Sequence, residues 1–413
     1  MRVLLSDGSG LTARQCAHLL ACAGHEVGVL APSPLVLARM TGAVRRWHRT
    51  PVFGTDPLAW AEAMLAVLDT GAYDVLLPTQ EQVAVLSLLT EQVTGRGVAT
   101  AVPPFAALRR VQDKLAAEDL LSELGLPRPA ATIARTPQQL LAVSPPAYLK
   151  APIGTASTGV RHVTTSAQLP DACRALGALS AFTLGGVLVQ APVPGPLWMV
   201  QTVFDSGRLL AAHANRRDRT GSGGGASHKT SVAVAPIRAA LERIGATLGW
   251  HGALSCDVIE GPDGPVIIDI NPRLVEPGNA AAAGLDLVDV LLDVATREPA
   301  RSRPPAHPGV HTFQLLPALL GAAAARHSRR SLLRELTSAA LHTGDYRNSH
   351  EELTPLAGDP IAVATLAVLS TALLLHPNLH TRLASGSVAN YALTPAGWNQ
   401  LIGHAAGDRL PRA

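Results

Sequence analysis

The chain has 413 residues, enough for two or three domains around a large buried core. Hydrophobic residues make up 47% of it and charged residues only 16%, with a formal net charge of +3, a globular balance that argues against a nucleic-acid partner. Four cysteines, Cys16, Cys22, Cys173 and Cys256, lack metal-type spacing and fit the reduced thiols of a cytoplasmic protein.

The opening MRVLLSDGSG reads as a strand, because its apolar run is too short for a signal peptide and no small-residue cleavage site follows. Strand patterns at residues 3–5, 26–30 and 74–77 alternate with helical patterns at 11–23 and 58–68. That order predicts a doubly wound parallel α/β domain over residues 1–104. Its first loop, Asp7-Gly8-Ser9-Gly10, lacks the third glycine of a dinucleotide fingerprint, and the second strand runs into Ala31-Pro32 instead of a ribose-binding acid. Residues 105–124 give one or two helices, and from there to residue 300 strands mix with shorter helices in an α+β pattern. The stretch 299–308 (PARSRPPAHP) has the composition of a boundary. Beyond it, a strand pattern at 311–315 precedes mostly helical sequence at 316–341 and Pro360–Leu375, a C-terminal region (301–413) suited to capping a pocket or pairing two copies. The apolar run 361–375 falls short of the roughly 20 residues that span a bilayer, so a buried or interface helix is expected.

The residues that carry chemistry begin at 252–273, GALSCDVIEGPDGPVIIDINPR. A hairpin turning at Asp263 sets Asp257 opposite Asp269, where two like charges need a cation between them. Strand alternation places Asp269, Asn271 and Arg273 on one face, and this oxygen-rich set suits Mg²⁺, or Mn²⁺, with a bound phosphate. Upstream, residues 147–160 (AYLKAPIGTASTGV) form a strand carrying Lys150, followed by a loop in which Gly154, Thr155, Ser157, Thr158 and Gly159 can offer backbone and hydroxyl donors to an anion. It is not a Walker loop, since no Gly-Lys-Ser/Thr follows.

The ordered series Gln112-Asp113-Lys114, Lys150 with its glycine-rich loop, residues 187–195 (VLVQAPVPG), and Asp257, Asp269, Asn271 and Arg273 resembles the ATP-grasp superfamily. It is most similar to the carboxylate-amine ligases and to the biotin carboxylase and carbamoyl phosphate synthase relatives. The resemblance covers residues 1–300 and implies a two-lobed ATP-grasp domain at 105–300. It implies that Lys114 and Lys150 contact ATP phosphates, that Gln190 reads the adenine amino group, and that Ala191 and Val193 supply the hinge backbone donor and acceptor. Asp257, Asp269 and Asn271 would hold the metal, and Arg273 the transferred phosphate. Two positions depart from the pattern: Leu197 stands where many members carry a ribose-binding glutamate, and both metal acids are aspartates where glutamate is frequent.

The reaction implied is activation of a small carboxylate, such as an amino acid, as an acyl phosphate, followed by attack of an amine and release of ADP and phosphate. Arg273, with Arg216, Arg217 or Lys229, would stabilise the oxyanion. Residues 221–229 (GSGGGASHK) read as a mobile loop closing over the acyl phosphate, with His228 and Lys229 offered to the substrate carboxylate. Glu276, Asn279 and residues 77–81 (LPTQE) are positional candidates for the pocket wall. Two alternatives stay open: a bicarbonate-activating carboxylase or carbamoyl phosphate synthase-like enzyme, and a nucleotide-binding protein without turnover. The expected partners are small-molecule substrates, with no nucleic acid and no membrane, and a homodimer is an open expectation for the 361–375 helix.

Overall fold

A computed structural model of the protein describes residues 1–155, 158–221, 224–296, 300–326, 328–354, 358–385 and 387–407. It is a mixed α/β fold with three sheets. The first is parallel, in the order β3 (Val44–Arg49), β2 (Glu26–Ala31), β1 (Arg2–Leu5), β4 (Val75–Leu77). Its strands follow the predicted 3–5, 26–30 and 74–77, but β3 was not expected: VRRWHR carries arginines on an edge strand, where charge is tolerated and the apolar alternation is lost. The predicted 105–124 stretch is two helices, Phe105–Gln112 and Lys114–Glu123, broken at Asp113, whose carboxylate accepts the Leu115 N–H at 2.8 Å and caps the second.

The second sheet is antiparallel, with the order β5 (Ala131–Ala134), β8 (Val187–Gln190), β6 (Ala147–Lys150), β7 (Val160–Val163). The third has seven strands: β13 (Gly264–Asn271), β12 (Gly252–Gly261), β9 (Leu197–Asp205), β10 (Arg208–Thr220), β11 (Ala226–Val232), β14 (His311–Phe313) and β15 (Ser349–Glu351). The last two lie past the proline-rich 299–308 stretch, so the C-terminal region extends this sheet before its helices begin.

The large sheet is two-sided. Trp198, Val200, Phe204, Ala212, Ala214, Leu254, Cys256 and Ile270 face a core closed by the helix Ala235–Leu248. The opposite face carries Asp257 and Ser255 on β12, Met199 and Gln201 on β9, His213 and Asn215 on β10, and Lys229 on β11, as the strand registers require. At its far end this polar face turns apolar, and Val203, Ala211 and Ala253 join Val3, Leu5, Val27 and Val29 in a shared core. The polar face therefore opens toward the carboxyl ends of β1 and β4.

Two features tie the C-terminal region to the first sheet. Leu393, Trp398 and Leu401 sit in the same core as Leu4, Leu30, Phe53 and Trp60, and Asn390 donates to Ser9 Oγ at 3.0 Å. The helix Pro360–Leu375 carries no charged residue, and Ile361, Val368 and Leu375 are exposed on it. Among the described residues no helix is long and apolar enough to cross a membrane.

The Ala235–Leu248 helix approaches β9 so closely that a Cβ on Gly245 would fall 2.2 Å from a ring carbon of Phe204. Gly245→Ala should therefore lower stability by about 1–3 kcal/mol through overpacking, read as a lower urea midpoint at unchanged slope.

Candidate active site

The hairpin β12–β13 places Asp257 opposite Asp269, but not by the symmetric route the sequence suggests. Val258 pairs with Ile267 and Gly261 with Gly264, a register that alone would oppose Asp257 to Ile268. An extra residue, Ile268, forms a bulge between the two pairings and slides Asp269 into place. Lys150, on β6 of the smaller sheet, donates to the Ile268 carbonyl at 2.6 Å, so the bulge also anchors one sheet to the other.

The two carboxylates differ in ionisation. Burial, and then the charge of Asp269, push Asp257 up to about 6. Burial acts on Asp269 in the same sense, yet Lys114 and Lys150 outweigh it and hold that carboxyl below its ordinary value. Lys114 Nζ lies 2.6 and 2.7 Å from the two Asp269 oxygens, an ammonium where a cation is demanded. Lys150 is pulled down, chiefly by burial. Asn271 pairs with Ser255 two residues along the same strand face. Two carboxylates and an amide fit Mg²⁺, which takes its remaining ligands from phosphate and water; no group of three or more His, Cys, Asp or Glu residues able to hold a metal occurs among the described residues.

On the small-sheet side, Gly154 and Gly159 pack backbone to backbone, and Ala151 N–H donates to the Gly159 carbonyl at 2.8 Å. Thr158 turns its hydroxyl inward to the Thr155 carbonyl at 2.7 Å, so it is not offered to an anion. Thr155 Oγ1 is buried without a partner among the described residues. Ser157 lies outside the described residues. Gln190 ends β8 and donates to Glu118 at 3.2 Å, and Arg128 holds the other oxygen of Glu118 at 2.7 Å. Ala191 spends its N–H on the Ala130 carbonyl at 2.9 Å, so only its carbonyl remains for a ligand. Val193 lies beside the β12–β13 turn, within 3.5 Å of the Cβ position of Gly261. Gly195 passes so close to β12 that a Cβ would fall 2.1 Å from the Glu260 carbonyl oxygen, and its φ of +142° belongs to glycine. Leu197 enters β9 opposite Ile259.

The third group surrounds Arg273, whose Nε donates to Glu81 at 3.2 Å. Lys229 is fully buried between Glu276, at 2.5 Å, and Glu352. Burial depresses the Lys229 ammonium, but the two carboxylates prevail and raise it. Gln15 reaches Glu352 at 3.3 Å, and Gln314 donates to Glu276. Asn279 accepts through its side-chain oxygen from His213 Nε2 at 2.8 Å and donates to Thr312 at 2.7 Å, which makes it a brace of the segment above the sheet.

Besides the Thr158 hydroxyl and the Ala191 N–H, three further expectations need correction. Residues 226–229 are not part of a glycine-rich loop but lie in β11, and Ser222 and Gly223 fall outside the described residues. Alternation turns His228 to the face opposite Lys229, where it packs on Phe313 and Tyr346, and burial pushes it down to about 4. Arg217 shares the polar face with Asn215 and Lys229 and donates to the Gly224 carbonyl at 2.8 Å, whereas Arg216 points the other way and pairs with Asp218 at 2.8 Å. Glu352, Glu118, Gln15 and Gln314 were not expected at all.

A separate cavity of about 1230 Å³, lined by Glu91, Asp205, Arg208 and His251 among others, shares no residue with these groups. The charged cluster, with its opposed ionisation shifts, is the better candidate for chemistry.

No protein-family model matches the sequence, and a search of curated proteins gives no match. Solved structures do match. Over 75% of this chain, the fold is similar to the biotin carboxylase domain of the 2-oxoglutarate carboxylase from Hydrogenobacter thermophilus (TM-score 0.59, 16% identity, 73% of that chain), solved as a dimer with MgADP and bicarbonate. An ADP complex of N5-carboxyaminoimidazole ribonucleotide synthetase matches 82% of this chain and 85% of its own (TM-score 0.60, 14% identity). The chain has the ATP-grasp fold. An L-amino acid ligase from Bacillus licheniformis shares it (TM-score 0.54, 17% identity, 73% of this chain and 77% of that one). Within this fold, Lys114, Lys150, Asp257 and Asp269 meet where the antiparallel four-stranded sheet approaches the β12–β13 hairpin of the seven-stranded one.

The raised Asp257 gives a pH test with a definite sign. A carboxyl moved from 3.8 to about 6 favours the folded state when protonated, and that contribution is lost as pH rises through about 6. In metal-free buffer, Asp257→Asn should match the parent below pH 4 and exceed its Tm by roughly 2–4 °C above pH 6.5, a modest gain because Asp257 keeps some exposure to the cleft. Thermal melts with chelator across this range measure it.

Proposed function

We propose that the protein is an ATP-dependent ligase that activates a small carboxylate as an acyl phosphate and joins it to an amine. What carries this reading is the convergence of Lys114 and Lys150 on the Asp257–Asp269 hairpin, with Arg273 two residues beyond Asn271. Bound Mg²⁺ would supply charge neutralisation at the phosphates, held by Asp257, Asp269 and Asn271. The residues 105–300 would form the ATP-grasp domain proper, with the 1–104 unit and the 301–413 region closing the substrate side.

In this reading Lys114 and Lys150 exchange their contacts on β13 for phosphate oxygens, and the Gly154 to Gly159 loop covers them with backbone donors. Gln190, the Ala191 carbonyl and Val193 line the base. Arg273 orients the phosphoryl group in transfer, and Arg217 faces the same side of the sheet. Lys229, fully buried and saturated by Glu276 and Glu352, is withdrawn from the oxyanion and substrate-carboxylate roles the sequence suggests and instead fixes those two carboxylates. A carboxylate is a poor electrophile, so phosphorylation must precede amide formation. The exposed apolar side of the Pro360–Leu375 helix supports a homodimer.

The test is ADP release with ATP and Mg²⁺ across the twenty L-amino acids and a set of small amines, with mass spectrometry of products. Release should require both a carboxylate and an amine, give their condensation mass, and fall by about 100-fold or more in Asp269→Asn and Arg273→Ala. Bicarbonate-dependent release would instead support the carboxylase reading, and nucleotide binding without turnover a non-catalytic one.

A further inference from the structure

We infer that Glu81, from the first α/β unit, is a positioning residue that holds the Arg273 guanidinium in register with the Lys114 helix; this rests on the phosphoryl-transfer reading above. Glu81 lies just beyond β4 and is 2% exposed. One oxygen accepts from Arg273 Nε at 3.2 Å, and the other accepts from Gln112 Nε2 at 3.0 Å. Gln112 is separated from Lys114 only by the capping Asp113. A single carboxylate thus touches both the strand end that carries Arg273 and the helix junction that carries Lys114.

The carboxylate is itself held still. Thr79, two residues before it, donates to the Asp7 carbonyl and accepts the Asp7 N–H, both at 3.1 Å, and its own N–H bonds Ser6 Oγ at 3.0 Å. These bonds fasten the loop after β4 to the loop after β1. Arg273 has five N–H donors in a planar fork. With Nε on Glu81 and one terminal nitrogen 3.4 Å from the Leu274 carbonyl, the plane of the guanidinium is set, and its remaining donors have no partner among the described residues. Glu81 therefore acts through Arg273 and has no contact with the phosphoryl group.

A double-substitution cycle tests this without knowledge of the carboxylate substrate. ADP·Mg²⁺ affinity is measured with and without aluminium fluoride, a stand-in for the phosphoryl group in transfer, on the parent, Glu81→Gln, Arg273→Ala and the double variant. Glu81→Gln should cut the tightening by aluminium fluoride about 10-fold while changing affinity for ADP alone less than about twofold. In the Arg273→Ala background it should add less than about twofold. Glu81→Asp, which keeps the charge but withdraws it by a methylene, should lie between parent and Glu81→Gln. Tightening that survives Glu81→Gln, equal losses with and without aluminium fluoride, or losses that multiply in the double variant would overturn the positioning role alone. A parent that shows no tightening, or an Arg273→Ala variant that keeps it in full, would overturn the functional reading beneath it.

Discussion

Two carboxylates fixed opposite each other on neighbouring strands repel, and most of the site is arranged around that repulsion. Strand pairing keeps Asp257 and Asp269 together, and the protein answers with cations drawn from elsewhere in the chain: Lys114 from a helix start, Lys150 from a second sheet. Each of these lysines would be costly to bury alone. The cluster is mutually dependent, and its members stabilise one another.

The same logic recurs at the other side of the polar face. Lys229 is buried between Glu276 and Glu352, and Arg273 faces Glu81. Each contact joins residues far apart in sequence, 123 positions for Lys229 and Glu352 and 192 for Arg273 and Glu81. The floor of the site comes from one sheet, but its charges are balanced by the first unit and by the C-terminal region.

This explains what could be read from the sequence and what could not. The Asp257–Asp269 pair, the Lys150 strand and most of the first α/β unit were legible because periodicity and turn residues act locally. The bulge at Ile268 was not, since nothing in an apolar Val-Ile-Ile run marks which residue will be left unpaired. His228 and Lys229 follow a glycine run whose loop signal masks the alternating Ala226–Val232 strand. Arg216 and Arg217 could be separated only by parity on β10, which needs the register. Glu352 had no signal at all: an acid just past the edge strand Ser349–Glu351 becomes a partner of Lys229 only when the chain returns to the sheet.

The placement of Leu393, Trp398 and Leu401 in the core of the first unit bears on synthesis. A domain at the start of a chain ordinarily folds while the rest is still being made. Here the nascent first unit leaves the ribosome with Phe53, Trp60 and Met64 lacking part of their cover, which arrives more than three hundred residues later. The core of the first unit is therefore completed only once the C-terminal region has been made, when Asn390 also bonds Ser9.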